Sequence, residues 1–174
     1  MPSSYQAPSQ GDKAKVATVS QSVESNLSAS NSTVATLLEK KGNEIFSVRP
    51  NHTIEAVVML LREKRIGAVL VTDQNGKMVG ILSERDIVRR MAETPGQTLP
   101  QHVEGLMTRE VITCQPSDAL VSVLRTMTDG RFRHMPVVDQ GGQLVGIITI
   151  GDVVHFRLNE LEYEALRMKQ MIVG

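Results

Sequence analysis

The chain is expected to fold as an α/β (α+β) protein made of two copies of one β-α-β-β-α unit, flanked by an N-terminal and a C-terminal helix. Three observations predict it. First, Gly80-Ile-Leu-Ser-Glu-Arg-Asp86 returns as Gly146-Ile-Ile-Thr-Ile-Gly-Asp152 at a constant offset, 146 − 80 = 66 and 152 − 86 = 66. The register holds without a gap from the Pro50 and Pro116 pair onward, taking in Val57 with Val123, Arg65 with Arg131, Asp73 with Asp139 and Gly76 with Gly142. Second, within each copy the apolar spacing changes from short β-branched runs to helical spacing in the same order. Third, 174 residues suit one ordinary domain or two small ones sharing an interface. Two copies make a duplicated unit and not a solenoid. Units of about 60 residues bury only about 60% of their chain surface, so the copies are expected to pack on each other.

In chain order, residues 1–30 are rich in Ser, Gln and Ala without periodicity, and are expected to form a disordered tail. Ser32 or Thr33 is placed to cap a short helix carrying Val34, Leu37 and Leu38, which Gly42 stops. With that helix, the first repeat is expected to occupy 31–92. Ile45 to Val48 reads as a strand. Thr53 to Lys64, with Ile54, Val57, Val58 and Leu61 on one face, reads as a helix. Ala68 to Val71 and Met78 to Leu82 read as strands joined through an Asn75-Gly76 turn, and Ser83 starts a second helix. Residues 93–107, with Pro95, Gly96 and Pro100, read as a linker. The second repeat, 108–174, follows with a strand at Val111 to Cys114, a helix at Ala119 to Asp129, strands at His134 to Val138 and Leu144 to Ile148, and a helix from Thr149. Leu158, Leu161, Ala165 and Met168 extend that helix toward the C-terminus, with a stripe expected to cover the fold or a subunit contact.

Composition narrows the function. Nineteen basic residues balance nineteen acidic ones, which argues against non-specific binding to nucleic acid or an anionic membrane. Three Phe, two Tyr and no Trp leave little for base stacking. The single cysteine, Cys114, excludes an intramolecular disulfide framework and suits a reducing compartment, here the cytoplasm. No apolar run approaches the roughly 20 residues of a membrane span, and the first 30 residues lack the apolar stretch of a signal peptide. His52, His102 and His155 have no metal-ligand spacing, so no metal site is expected. No nucleophile elbow, P-loop or dinucleotide fingerprint appears, and no catalytic residue is assigned.

The repeated motif carries the chemistry. Ser83 with Asp86, and Thr149 with Asp152, place a hydroxyl and a carboxylate on the first turn of a helix. That pattern has two competing readings, of which the first is a structural capping box. The second is a nucleotide subsite, since free amides and the helix dipole suit phosphate and a carboxylate accepts from a ribose diol. Arg131, Arg133 and His134 enter the strand before the Thr149 hairpin and bring two guanidinium groups toward one anion. The first copy has Gly67 and Ala68 where the second has Arg133 and His134, so its cations are Arg65 and the helical Arg85, Arg89 and Arg90. The Thr149 site is therefore expected to be the stronger.

On Gly80 to Asp86, Gly146 to Asp152 and Arg133-His-Met-Pro-Val-Val-Asp139, the sequence resembles a tandem pair of CBS domains, a Bateman module, over about Ile45 to Leu158. The resemblance implies two units packed through their sheets about a pseudo-two-fold, pairing of modules into a homodimer, and adenosyl ligands in the clefts. AMP stands foremost as a regulatory ligand, with ADP, ATP, NAD(H) and S-adenosylmethionine open. It further implies Thr113, His134, Met135, Pro136, Thr149 and Asp152, which with the Arg131 and Arg133 read above make the main site. The weaker equivalent implied is Ser47, Ala68, Ser83 and Asp86, to which the residues themselves add Gly67, Arg85 and Arg89. The expected function is a non-enzymatic sensor acting on a target protein that the sequence does not name. A ligand-free scaffold and a redox regulator using Cys114 stay open beside it.

Overall fold

The computed structural model describes residues 32–173, with five α-helices and five strands among them, and the expected tail at 1–30 lies outside the described residues. After helix α1 (Val34–Lys41), the first repeat runs β1 (Ser47–Val48), α2 (Ile54–Lys64), β2 (Ala68–Thr72), β3 (Met78–Ser83), α3 (Glu84–Glu93). The second runs α4 (Leu120–Asp129), β4 (His134–Val138), β5 (Leu144–Thr149), α5 (Ile150–Val173). β2 is the centre of a three-stranded sheet, parallel to β1 and antiparallel to β3, and is buried along its whole length. β4 and β5 form an antiparallel pair.

The two copies share local chemistry at equivalent positions. Both hairpins turn on an aspartate: Asp73 accepts from the amides of Asn75 and Lys77 at 2.9 Å, and Asp139 from those of Gly141 and Gln143 at 2.9 and 2.8 Å. Gly76 and Gly142 take the left-handed conformation there, at φ 80° and 77°. Helices α2 and α4 both end in a left-handed arginine, Arg65 at φ 53° and Arg131 at φ 56°. The next amide reaches back five residues at 3.1 Å in each, Ile66 to the Leu61 carbonyl and Phe132 to that of Met127. This is the Schellman closure.

One expected strand is absent. Val111 to Cys114 forms only a single parallel bridge, Cys114 to Val137. In the first copy the Leu70 amide donates to the Phe46 carbonyl at 3.0 Å. The residue equivalent to Leu70 is Pro136, 70 + 66, which has no N–H to donate, so the ladder stops after the bonds around Cys114.

Each repeat is completed by the segment that precedes the other. Val34 and Leu37 of α1 join Cys114, Leu120, Val123, Met127 and Ile148 in the second core. Val103 and Met107 of the linker join Val48, Ile54, Val57 and Leu82 in the first. Thr33 stands at the α1 N-cap without a side-chain cap, and Ser32 instead donates to Glu160. The first α1 amides bond to loop carbonyls of the second repeat, Val34 to Asp118 at 3.0 Å and Ala35 to Pro116 at 2.8 Å. A helix grouped by sequence with the first repeat thus belongs by packing to the second.

Candidate functional site

Both helix starts are reciprocal capping boxes. The Ser83 hydroxyl accepts from the Asp86 amide at 3.4 Å, while Asp86 Oδ2 accepts from the Ser83 amide at 3.1 Å. In the other copy, Thr149 Oγ1 accepts from the Asp152 amide at 3.0 Å and Asp152 Oδ2 from the Thr149 amide at 2.8 Å. The first amide of each helix is satisfied by the strand preceding its hairpin, Glu84 to the Gly67 carbonyl at 2.9 Å and Ile150 to that of Arg133 at 3.0 Å.

Each start opens into a cleft walled by the other repeat. A cavity of about 410 Å³ is lined by Ser83, Arg85, Asp86 and Arg89 of the first copy and by Thr108, Glu110, Ile112, Arg131, Phe132, Arg133 and His134 of the second. A cavity of about 350 Å³ is lined by Thr149 and Asp152 of the second and by Gly42, Glu44, Phe46, Arg65, Ile66, Gly67 and Ala68 of the first, with Lys41 and His134. The two walls are equivalent under the repeat: 42, 44, 46 and 65–68 become 108, 110, 112 and 131–134 on adding 66.

The grouping of expected site residues changes accordingly. Arg131 and Arg133 do not share a cleft with Thr149 and Asp152; they line the one with Ser83, Arg85, Asp86 and Arg89. Gly67 and Ala68 do not serve Ser83 and instead flank Thr149. His134 lines both clefts, and its Nε2 is 3.0 Å from where a Cβ on Gly67 would stand. Met135 and Pro136 are buried strand residues, with Met135 in the second core. Neither they nor Ser47 and Thr113 line either cavity. Glu44, Phe46, Glu110 and Ile112 were not singled out by motif, although the constant offset pairs them as two matching sets.

Electrostatics separate the clefts. Four arginines face Glu84, Asp86 and Glu110 in the larger, an excess of one positive charge, while Lys41 and Arg65 balance Glu44 and Asp152 in the smaller. Asp86 Oδ1 has Arg89 at 3.8 Å. Asp152 is engaged: Lys41 Nζ donates to its Oδ2 at 2.6 Å and to the Ile147 carbonyl at 2.7 Å. Burial pushes the Asp152 carboxyl up, but the Lys41 ammonium and the Thr149 amide outweigh it and hold it below the ordinary 3.8. His134 is pulled below its ordinary 6.5, chiefly by burial and further by Lys41 and Arg133, with Glu84 and Asp152 opposing. Cys114 is buried, and desolvation with the nearby Asp118 raises its thiol to about 12. A thiolate is thus unavailable near neutral pH. Among the described residues no three metal-ligating side chains gather, and no helix is long and apolar enough to cross a membrane.

Comparison with known proteins matches the CBS domain family twice, at residues 41–93 and 103–159. The crystal structure of the CBS-domain containing protein ATU1752 from Agrobacterium tumefaciens is 41% identical, covers 72% of this chain and 99% of its own, and superposes with a TM-score of 0.71. The CBS domain pair of protein MJ0100, solved with 5′-methylthioadenosine and S-adenosyl-L-methionine, is 25% identical over 75% of this chain and 99% of its own, with a TM-score of 0.67. CBSX2, solved in complex with AMP, is 28% identical over 68% and 90%, with a TM-score of 0.56. An uncharacterised 17.7 kDa protein of Acidianus ambivalens is 30% identical over 116 residues, 67% of this chain and 69% of that one. A 33.4 kDa protein of Thermofilum pendens is 34% identical over 131 residues, and the chain spans only 42% of it.

Proposed function

The chain belongs to the CBS-domain family as a tandem pair, and from that premise we propose that it is a regulatory, non-catalytic module that senses an adenine nucleotide, AMP foremost. The observation that carries this reading is the larger cleft, where a helix start with hydroxyl and carboxylate faces the Arg131 to Arg133 segment across about 410 Å³. Asp86 accepts the ribose diol through the oxygen the capping box leaves over. Arg133, Arg131 and Arg89 draw the phosphate to the N-terminal end of α3. Ile112 and Phe132 supply an apolar wall for the base. The volume lies within the range usual for small-molecule sites. The adenosyl group common to the ligands solved with MJ0100 and CBSX2 supports the same class of ligand here.

This assignment reverses the ranking expected from sequence. The Ser83 cleft is the principal site, and the Thr149 cleft, neutral and with its carboxylate already bonded to Lys41, is the weaker. Because each cleft takes side chains from both repeats, a bound nucleotide ties one repeat to the other and favours one arrangement of the pair. A target protein that distinguishes the arrangements reads the signal.

A thermal-shift panel of AMP, ADP, ATP, NADH and S-adenosylmethionine on the full chain tests the reading. A ligand at a thousandfold its dissociation constant adds about 4 kcal/mol. AMP is expected to raise the unfolding temperature most. If no adenosyl compound raises it, the helix starts are capping boxes alone and the module is a scaffold.

A further inference from the structure

Helix α5 runs on past the second CBS match, which ends at 159, to Val173, 173 − 159 = 14 residues further. Its apolar side chains there stay in solvent: Leu158 is 54% exposed, Leu161 42%, Met168 56% and Ile172 83%. With the exposed Val154 and Ala165, these residues follow one another at steps of 4, 3, 4, 3 and 4. That is the a/d spacing of a heptad, which keeps one seam facing a partner helix. The seam is about a third of a turn from Val153 and Phe156, the residues that dock α5 on its own core.

The flanking charges choose the partner. Taking Leu158 and Ala165 as a positions, g is Arg157 and Glu164 and e is Glu162 and Lys169. In a parallel pair each g faces the e five residues on in the other helix, so Arg157 meets Glu162 and Glu164 meets Lys169, two pairs of opposite charge. An antiparallel pair centred on Leu161 and Ala165 sets Glu162 and Glu164 against their own copies. Arg157 already reaches Glu160 at 3.2 Å and Glu164 at 4.0 Å along its own helix, which orders the acidic edge of the seam. An anionic lipid surface fits poorly, because Glu160, Glu162 and Glu164 outnumber Arg167 and Lys169.

We propose that the 158–172 stretch of α5 is a self-recognition element, forming a parallel two-stranded coiled coil with α5 of a second copy of this chain. The element stands apart from the nucleotide reading and needs no ligand.

The full chain carrying Ala165→Cys tests it, since an a position in a parallel pair meets its own mate while the native Cys114 is buried. In oxidised glutathione the variant is expected to cross-link from 19.1 kDa to twice that, 2 × 19.1 = 38.2 kDa, on a non-reducing gel. Adding Met168→Glu, at an exposed position that leaves the core untouched, abolishes the cross-link. Lys169→Glu weakens it, and Glu164→Lys together with Lys169→Glu restores it. A chain that stays at 19.1 kDa, or a cross-link indifferent to Met168→Glu, overturns the proposal.

Discussion

Lys41 Nζ lies 2.6 Å from Asp152 Oδ2, whereas the residue at the equivalent place for the other cleft, 41 + 66, is Met107. Beside the arginine excess of the larger cleft, this one side chain makes two clefts equivalent under the repeat unequal. Lys41 holds the carboxylate that a ribose would otherwise engage, whereas the second oxygen of Asp86 has the more distant Arg89 at 3.8 Å.

Replacing Lys41 by Met should open the weaker cleft. A partly exposed pair of this kind is worth about 0.2–1 kcal/mol, so the second AMP-binding step in calorimetry is expected to tighten by up to about fivefold. A second step that weakens instead would make Lys41 a phosphate contact rather than a stopper.

Stability should fall on acidification in two stages. The folded pKa of His134 is depressed, so its contribution is complete above its ordinary 6.5 and is lost as pH drops toward the folded value. Asp152 is also depressed; its contribution is complete above 3.8 and is lost as pH falls through its folded value. Urea midpoints taken from about pH 7.5 to about pH 5 should decline less in His134→Gln than in wild type. Equal declines would show that burial of the imidazole is not what couples stability to pH in this range.

Cys114 should be inert. With its thiol raised to about 12 and its side chain buried, the native protein should take up iodoacetamide only at the rate of unfolding. Cys114→Ala is expected to leave AMP affinity unchanged while costing about 1 kcal/mol of stability. Loss of binding in that variant would return the redox reading to consideration.

Gly80 is where the linker closes on the first repeat. A Cβ there would stand 2.9 Å from both the Thr108 carbonyl oxygen and Met107 Sδ. The Ile81 and Thr108 amides bond to each other's carbonyls at 3.0 and 2.9 Å. Gly80→Ala should therefore cost about 1–3 kcal/mol by overpacking. Gly76→Ala, with open space around its Cβ but a left-handed φ of 80°, is strained through its backbone alone and should cost less. Comparing the two by denaturant unfolding separates packing from conformation.

The repeat, most of its element order and both capping boxes were legible because each is written in local spacing: helical apolar steps, an Asn-Gly turn and a hydroxyl three residues before an acid. The exchange of segments between copies was not. Val34 and Val103 look like ordinary apolar residues of the segment they begin, and nothing local tells which repeat's core they fill. The arginines were misplaced for the same reason. The Arg133 carbonyl accepts from the Ile150 amide, beside Thr149, yet the residue lines the cleft of Ser83. The missing strand at Val111 to Cys114 was in principle readable, since Pro136 lies at the position whose N–H that strand requires.

The most direct test of the central claim, that the Arg131 to Arg133 segment serves Asp86 in the principal nucleotide site, is AMP calorimetry on the full chain with Asp86→Asn and Asp152→Asn. Losing a hydrogen bond to a charged group costs about 1.5–3 kcal/mol, so Asp86→Asn is expected to weaken the tighter step by roughly 10- to 150-fold while Asp152→Asn leaves it unchanged. If Asp152→Asn removes the tighter step and Asp86→Asn binds as wild type, the assignment is contradicted.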